Sequence, residues 1–330
     1  MVKVRELMET AMGQQAADLH LQTGRPPMMR LAQGLCPLPG PPLSEGDLRQ
    51  VLQAVGWSGG DQGDGAFSWH DALRCRLHVC REYAGLHVTI RFLYPLASLP
   101  PDGDGPLLQR LSCLTSGLVL VCGPTGSGKT TTLYAAIHEI QDDSVSIATL
   151  EDPVEILMEG ISQSQVQAKG GMMFQDGLRA LLRQDPDILV VGEIRDGETA
   201  RIAVRAALTG HVIFSTLHAP SAVEAVIRLT DMGVAPYLAA DALAGVVSQR
   251  LVRCRRSDGS YQGRFCLCEV VPAGRRLRDA IRRCAGVRDL TDAARSDGAV
   301  LLPDVIARTL AAGRTDEREI RRVCEGGSSW

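Results

Sequence analysis

Four short apolar runs in the middle of the chain constrain its fold more than any other feature. GLVLVCG (117–123), SVSIATLED (144–152), DILVVGE (187–193) and HVIFSTLH (211–218) are apolar without alternation and end in small or polar residues, with helical patterns between them. Runs of that length and texture, separated by helices, are the pattern of strands in a parallel sheet buried on both faces. The 330 residues suffice for such a sheet and for a second domain.

The first 94 residues read differently, as a small α/β domain. A helix pattern over Val4 to Gln15 leads into ADLHLQTGRPPMMRL (17–31), which reads as strand, turn, strand. LSEGDLRQVLQAV (43–55) begins with a capping box, Ser44 with Asp47 three residues on. LRCRLHVCREYAGLHVTIRFL (73–93) reads as two alternating strands about a turn at Gly85. The Pro- and Gly-rich stretch YPLASLPPDGDGP (94–106) reads as the linker, giving an N-terminal domain over 1–94, a linker over 95–106 and a second domain over 107–330. From about residue 221 the pattern turns mostly helical.

Composition excludes several classes. Hydrophobic residues make up 45% of the chain, and no apolar run approaches the roughly 20 residues that span a bilayer. The amphipathic N-terminus carries acids early, which argues against a secretory signal. Ten scattered cysteines without a regular framework read as reduced thiols of a cytosolic protein. Net charge is −3, so nothing global points to nucleic acid. Ten arginines against three acids between Arg250 and Arg283 form a local basic cluster, but with only Tyr261 and Phe265 among them it lacks the regularly interleaved aromatics of a stacking surface.

The segment GPTGSGKTT (123–131) fits G-x-x-x-x-G-K-[ST] in full. It follows one apolar run and precedes the helix pattern TTTLYAAIHEI, the context the motif requires. Gly123, Pro124, Thr125, Gly126, Ser127 and Gly128 let backbone N–H groups face phosphate oxygens. Lys129 would reach the β and γ phosphates, and Thr130, beside Thr131, would ligate magnesium. With three lysines against 32 arginines, this chain rarely uses lysine, and a compact ammonium fits a loop that a planar guanidinium would not. ATP and Mg²⁺ are the cofactors this loop predicts.

Polar groups at the ends of the other runs supply the rest of a phosphoryl-transfer site. TLEDPVE places Glu151, Asp152 and Glu155 just after a strand that Pro153 ends, at the edge where open α/β sheets bind ligands. VGEIRD places Glu193 at a strand end. TGHVIFSTLHAPSA puts His211 before a strand and His218 after it, so His218 stands at the productive edge. Any one of these acids could equally cap a helix.

Taken in order, GPTGSGKTT, EDPVE, VGEIRD and TGHVIFSTLH resemble the Walker A, Asp box, atypical Walker B and His box of the secretion and type IV pilus traffic ATPases. ADLHLQTGRPPMMRL, QRLVR (249–253) and YQGRFCLCEVV (261–271) extend the resemblance over almost the whole chain. It implies a small PAS-like N-terminal α/β domain and a RecA-like P-loop ATPase domain with a helical C-terminal part. It implies that Glu193 works on the magnesium and water side of the γ-phosphate, that Glu155 is the general base, that Glu151 and Asp152 support the site and that His218 contacts the γ-phosphate. Arg76, Arg81 and Arg91 fall where the family draws charge stabilisers from its N-terminal domain, Arg91 and Arg76 ahead of Arg81.

Such enzymes are homohexamers that drive a pilus or secretion machine through an inner-membrane platform protein. The resemblance therefore implies a cytoplasmic chain, peripheral at the inner membrane through its partner, with no nucleic acid bound. The short N-terminal part resembles the retraction (PilT-type) motors. Against that, LRDAIRRCAGV (277–287) matches their late AIRNLIRE-like helix poorly, Ser116 stands where they often carry arginine, and DVIARTLAAGRTDEREIRRV (304–323) resembles the end of secretion or assembly ATPases. Those enzymes often hold zinc in two C-x-x-C pairs; Cys254, Cys266 and Cys268 lack that spacing, so no zinc is expected there.

Overall fold

A computed structural model describes residues 4–31, 34–69, 73–94, 114–142, 144–166 and 173–324. The linker read at 95–106, and with it the start of the second domain at 107, lies outside the described residues. The chain divides into two compact units, Met1–Pro95 with Pro153–Met158, and Leu96–Asp152 with Glu159–Trp330.

In the first unit α1 (Val4–Gly13) and α2 (Glu45–Ala54) accompany an antiparallel sheet. Its strands are β1 (Asp18–Gln22), β2 (Met28–Leu31), β3 (Gly34–Pro37), β4 (Gly63–Trp69), β5 (Leu73–Glu82) and β6 (Gly85–Leu93), in the order β3-β2-β1-β6-β5-β4. The alternation read in 73–93 buries Leu73, Cys75, Leu77 and Val79 of β5 and Leu86, Val88, Ile90 and Phe92 of β6. They pack with Met8 and Ala11 of α1 and Leu48, Val51 and Leu52 of α2. The capping box forms as read: the Asp47 amide donates to Ser44 Oγ (3.2 Å) and the Ser44 amide donates to Asp47 Oδ2 (2.9 Å). Two strands escape the sequence reading. β3 and β4 are short or glycine-bearing edge strands, formed because a neighbour offers an unpaired edge rather than by local propensity.

In the second unit all four continuous runs become strands. They are β7 (Gly117–Cys122), β8 (Ile147–Glu151), β10 (Ile188–Val191) and β11 (Val212–Leu217), each buried along its length; β9 (Ser162–Gln165) adds an edge. Strand order is β13-β12-β7-β11-β10-β8-β9, parallel except for the β12–β13 pair. The helix α3 (Lys129–Ile140) packs on β7 and β11. α4 (Phe174–Leu181), α5 (Gly197–Leu208), α6 (Ala222–Asp231) and α7 (Pro236–Ala242) share a core with Leu120, Leu150, Leu189 and Ile213.

The region from 221 onward, expected to be mostly helical, also contains a long hairpin of β12 (Leu243–Arg255) and β13 (Tyr261–Pro272). Its apolar segments are as short and continuous as those of a buried helix, and periodicity does not separate the two. The hairpin carries α8 (Arg275–Arg282), α9 (Val287–Ser296), α10 (Leu302–Ala311) and α11 (Glu317–Cys324). Buried Glu269 of β13 accepts the backbone amides of Ala222 (2.9 Å) and Leu302 (3.0 Å), so one carboxylate anchors the first turns of α6 and α10.

The basic cluster is largely consumed by structure. Arg253 stacks on Tyr261 and donates to Glu319 (2.7 Å), Arg282 bridges Asp241 and Asp279, and Arg278 donates to the carbonyls of Ala273 and Leu243. Glu319 is fully buried and also accepts from Arg322 (2.6 Å) and from the Arg253 amide (2.9 Å). Burial alone would push its carboxyl up, but these donors hold it at about 2, below the ordinary 4.5. A depressed value means that the charged carboxylate stabilises the fold above about pH 4.5, and that this stability drains as pH falls from there through about 2. Glu319→Gln is expected to cost about 3 kcal/mol at pH 7, with the gap to wild type closing between pH 4.5 and 2, read from denaturation curves across that range.

Candidate functional site

Parallel strands place their carboxyl ends along one edge, and the second unit concentrates its polar groups there. β7 runs directly into the loop 123–128, and α3 starts at its far side. Gly128, in the left-handed region (φ +86), is the N-cap of α3 and supplies no capping side chain. The first turn therefore presents the backbone donors of Lys129, Thr130 and Thr131, with the helix dipole, to an anion. Lys129 Nζ donates to the loop carbonyls of Gly123 (3.0 Å) and Pro124 (3.1 Å). Burial lowers its pKa, while the charge of Glu193 opposes that shift.

The loop rests on β12, an arrangement that no local motif announces. Gln249, fully buried, donates its side-chain amide to the Ser127 carbonyl (2.7 Å). A Cβ at Gly123 would stand 2.5 Å from the Gln249 carbonyl oxygen and 2.8 Å from Ser127 Oγ. Glycine at 123 is thus set by contact as well as by its φ of +143. Arg250, also buried, donates to the carbonyl of Pro220 (2.5 Å) and ties the segment after His218 to the same strand.

Glu193 sits just past β10, brought close to its neighbour by Gly192, where a Cβ would lie 3.2 Å from the Leu150 carbonyl. Thr216 of β11 donates to the Gly192 carbonyl (2.6 Å). Arg195 Nε donates to Glu193 Oε2 (2.8 Å), and its Nη1 lies 3.5 Å from Asp152. His218 Nε2 stands 3.4 Å from Glu193 Oε1. The structure therefore gathers Lys129, Asp152, Glu193, Arg195 and His218 at one edge. His211 is at the opposite end of β11, its Nδ1 3.1 Å from the Ala206 carbonyl, as its place before the strand predicts. Asp196 is a helix cap, accepting the amides of Glu198 and Thr199 (both 2.9 Å) at the start of α5.

Glu151 is placed otherwise than a ligand-facing group. It is buried and accepts the Tyr134 hydroxyl, the Thr149 hydroxyl (2.6 Å) and the Gln163 amide (3.3 Å). Its network binds α3, β8 and β9 together beneath the loop.

The remaining predicted groups belong to the first unit. Glu155 lies 3.7 Å from Arg76, and the Val154 carbonyl accepts from Arg74 (3.2 Å). Arg76, Arg91, Asp18 and Arg30 form one cross-strand row over β5, β6, β1 and β2. In that row Asp18 receives Arg91 at 2.7 Å and Arg30 at 3.7 Å. Arg81 is held apart from the row: it pairs with Glu45 and Asp61, both at 2.8 Å, and Arg49 joins the same cluster. Gln249, Arg250 and Arg195 are the residues that the sequence reading left without a role. The only signal available was that all three stand within segments quoted for the resemblance, QRLVR and VGEIRD.

A doubly covered parallel sheet with a phosphate loop between its first strand and helix defines a P-loop nucleotide-binding fold. Residues 96–322 match the family model described as Type II/IV secretion system protein, and the chain belongs to that family. It is 47% identical over 235 residues to the type II secretion system protein HxcR of Pseudomonas aeruginosa, which covers 66% of this chain and 50% of that protein. It is 42% identical over 260 residues to the type II secretion system protein E of Pectobacterium carotovorum subsp. carotovorum, covering 68% and 49%. The chain thus spans about half the length of the curated relatives it matches.

Among solved structures it superposes on the pilus retraction motor PilT with bound ADP at a TM-score of 0.73 and 29% identity, covering 98% of this chain and all of that one. The Legionella pneumophila ATPase DotB, at 24% identity and a TM-score of 0.75 over 98% of this chain and 95% of that one, shares the fold. The expected fold, a small N-terminal α/β domain with a RecA-like domain, is the fold of these neighbours.

Gly123→Ala and Gly126→Ala separate contact from conformation. Both glycines have positive φ, but nothing lies within 4 Å of a Cβ at Gly126. Gly126→Ala is expected to cost about 1 kcal/mol of backbone strain. Gly123→Ala, which adds the collision with Gln249, is expected to cost about 3 kcal/mol or more, measured by urea denaturation.

Proposed function

We propose that this chain is the magnesium-dependent ATPase of a secretion or pilus machine, working as a hexamer. The observation that carries it is the convergence at one sheet edge of the Lys129 loop with Glu193, itself held by Arg195 and His218. The unpaired donors at the start of α3 and the buried, unpartnered Ser127 Oγ suit a phosphate chain. Gly123 to Gly128 would wrap that chain, and Lys129 would hold its β and γ oxygens. Thr130 and Glu193 would hold Mg²⁺, which supplies charge neutralisation on the transferring phosphoryl group.

In this reading Glu155 takes the proton of the attacking water as the γ-phosphorus–oxygen bond to ADP breaks. His218 contacts the γ-phosphate. Arg91 and Arg76, and after them Arg81, stabilise the developing charge. Arg76 then has two tasks, since it already faces Glu155. Arg81, tied to Glu45 and Asp61, would have to leave two carboxylates to act, which favours the other two. Glu151 supports the site from beneath, through Tyr134 on α3. No metal is assigned to Cys254, Cys266 and Cys268.

The machine is read as a type II secretion system, acting through an inner-membrane platform protein with the chain on the cytoplasmic side. The curated relatives at 47% and 42% identity carry that name. Pilus retraction is the second reading, favoured by the superposition on PilT over 98% of this chain. No helix of the described residues is long and apolar enough to cross a membrane.

The test is magnesium-dependent ATP turnover of the purified chain, with particle mass by light scattering in the same samples. Lys129→Ala and Glu155→Gln are each expected to lower turnover about 10²-fold or more in a six-subunit species. Turnover equal to that of Glu155→Gln in the wild type would remove the catalytic assignment. Arg195→Ala is expected to lower kcat with little change in nucleotide affinity, since Arg195 orients Glu193 rather than holding phosphate.

A further inference from the structure

The outward face of the first unit's sheet carries a second group of chemically competent side chains, on the same hairpin as Arg76, Arg81 and Arg91 but given no part in the ATPase reading. Cys80 of β5 and His87 of β6 are direct cross-strand partners at the end of their hairpin. Glu82, two residues beyond Cys80, projects from the same face. His87 Nδ1 lies 2.8 Å from Glu82 Oε1, and Cys80 Sγ lies 3.9 Å from the same oxygen. One ligand atom from each of the three lies within 4.8 Å of the other two.

We propose that Cys80, Glu82 and His87 form a binding site for zinc or a similar borderline-soft divalent cation. A tetrahedral zinc ion with ordinary bond lengths separates sulfur from oxygen by about 3.6 Å and nitrogen from oxygen by about 3.4 Å. Against these, the S···O separation of 3.9 Å is longer by about 0.3 Å and the N···O separation of 2.8 Å shorter by about 0.6 Å, shifts that rotation of the three side chains supplies. The donor set of one thiolate, one imidazole and one carboxylate selects zinc over magnesium or calcium, which take oxygen alone. Together with a dication the set is electrically neutral: the thiol proton leaves to solvent, the carboxylate is already charged and the imidazole is neutral.

Two surrounding facts agree. Gln22, opposite His87 on β1, donates to Glu82 Oε2 (2.7 Å), the outer-shell contact that orients a ligating carboxylate. His20 has its ring centroid 6.2 Å from that of His87, and its Nε2 is buried without a hydrogen-bond partner, so a further donor stands beside His87. An ordinary His87–Glu82 ion pair would account for two of the residues and leave Cys80 without a reason to be there.

Cobalt(II), a spectroscopic substitute for zinc, tests the assignment on the full chain without nucleotide. One equivalent is expected to give a sulfur-to-cobalt charge-transfer band, displaced by zinc. Cys80→Ser should abolish the band. His87→Gln and Glu82→Gln should weaken cobalt affinity by at least about ten-fold, and Gln22→Ala by about ten-fold. A Cys266→Ser/Cys268→Ser double variant, removing the thiol pair 3.5 Å apart on β13, should leave the band intact. Far-UV circular dichroism checks that each variant is folded. Absence of any cobalt-dependent band in the wild type, or a band that survives Cys80→Ser, overturns the proposal, and neither result bears on ATP turnover.

Discussion

Burial of the parallel sheet on both faces is the constraint from which the rest of the second unit follows. Strands such as β7 and β11 carry no exposed residue along their length. In the four apolar runs charged side chains therefore stand only at strand ends, and parallel direction puts all carboxyl ends on one edge. Lys129, Glu193 and His218 come from segments up to 89 positions apart, yet each is the first polar group after an apolar strand or its loop. The site is a by-product of the way this sheet hides its surface.

Holding that edge in shape takes contacts from outside the motifs. The loop 123–128 is seated by Gln249, whose backbone and side chain touch it at Gly123 and Ser127. The same strand, through Arg250, fixes the segment that follows His218. Arg195 plays the corresponding part for Glu193. Each is a charged or amide group donating to a carbonyl or carboxylate, the strong class of hydrogen bond when water is excluded. Beneath them Glu151, with Tyr134 and Thr149, forms a buried polar network whose members are mutually satisfied.

The first unit shows the other solution to sheet burial. Its antiparallel strands hide one face under α1 and α2 and leave the other polar, so functional groups can line a face instead of an edge. The row Arg76, Arg91, Asp18 and Arg30 and the cluster Cys80, Glu82 and His87 both lie there. In that row Arg91 and Arg30 flank Asp18, and Arg76 faces Glu155.

Much of this was legible in the amino-acid order. Continuous apolar runs at 117–122, 147–151, 188–191 and 212–217 specify buried parallel strands because no alternating or half-exposed element could hide them. The spacing from Gly123 to Thr130 specifies a phosphate loop because only that glycine pattern turns the amides inward. Strand ends likewise place His218 at the ligand edge and His211 at the far one. What local sequence did not carry was everything decided by a distant partner. β3 and β4 exist because an edge was open to them, and β12–β13 is a hairpin because its faces are covered by helices on one side and the loop's seat on the other. Glu151, an acid beside others in TLEDPVE, turned inward because Tyr134 waited there. Spacing determines what a segment can do; which neighbour fills its hydrogen bonds is settled only when the chain closes on itself.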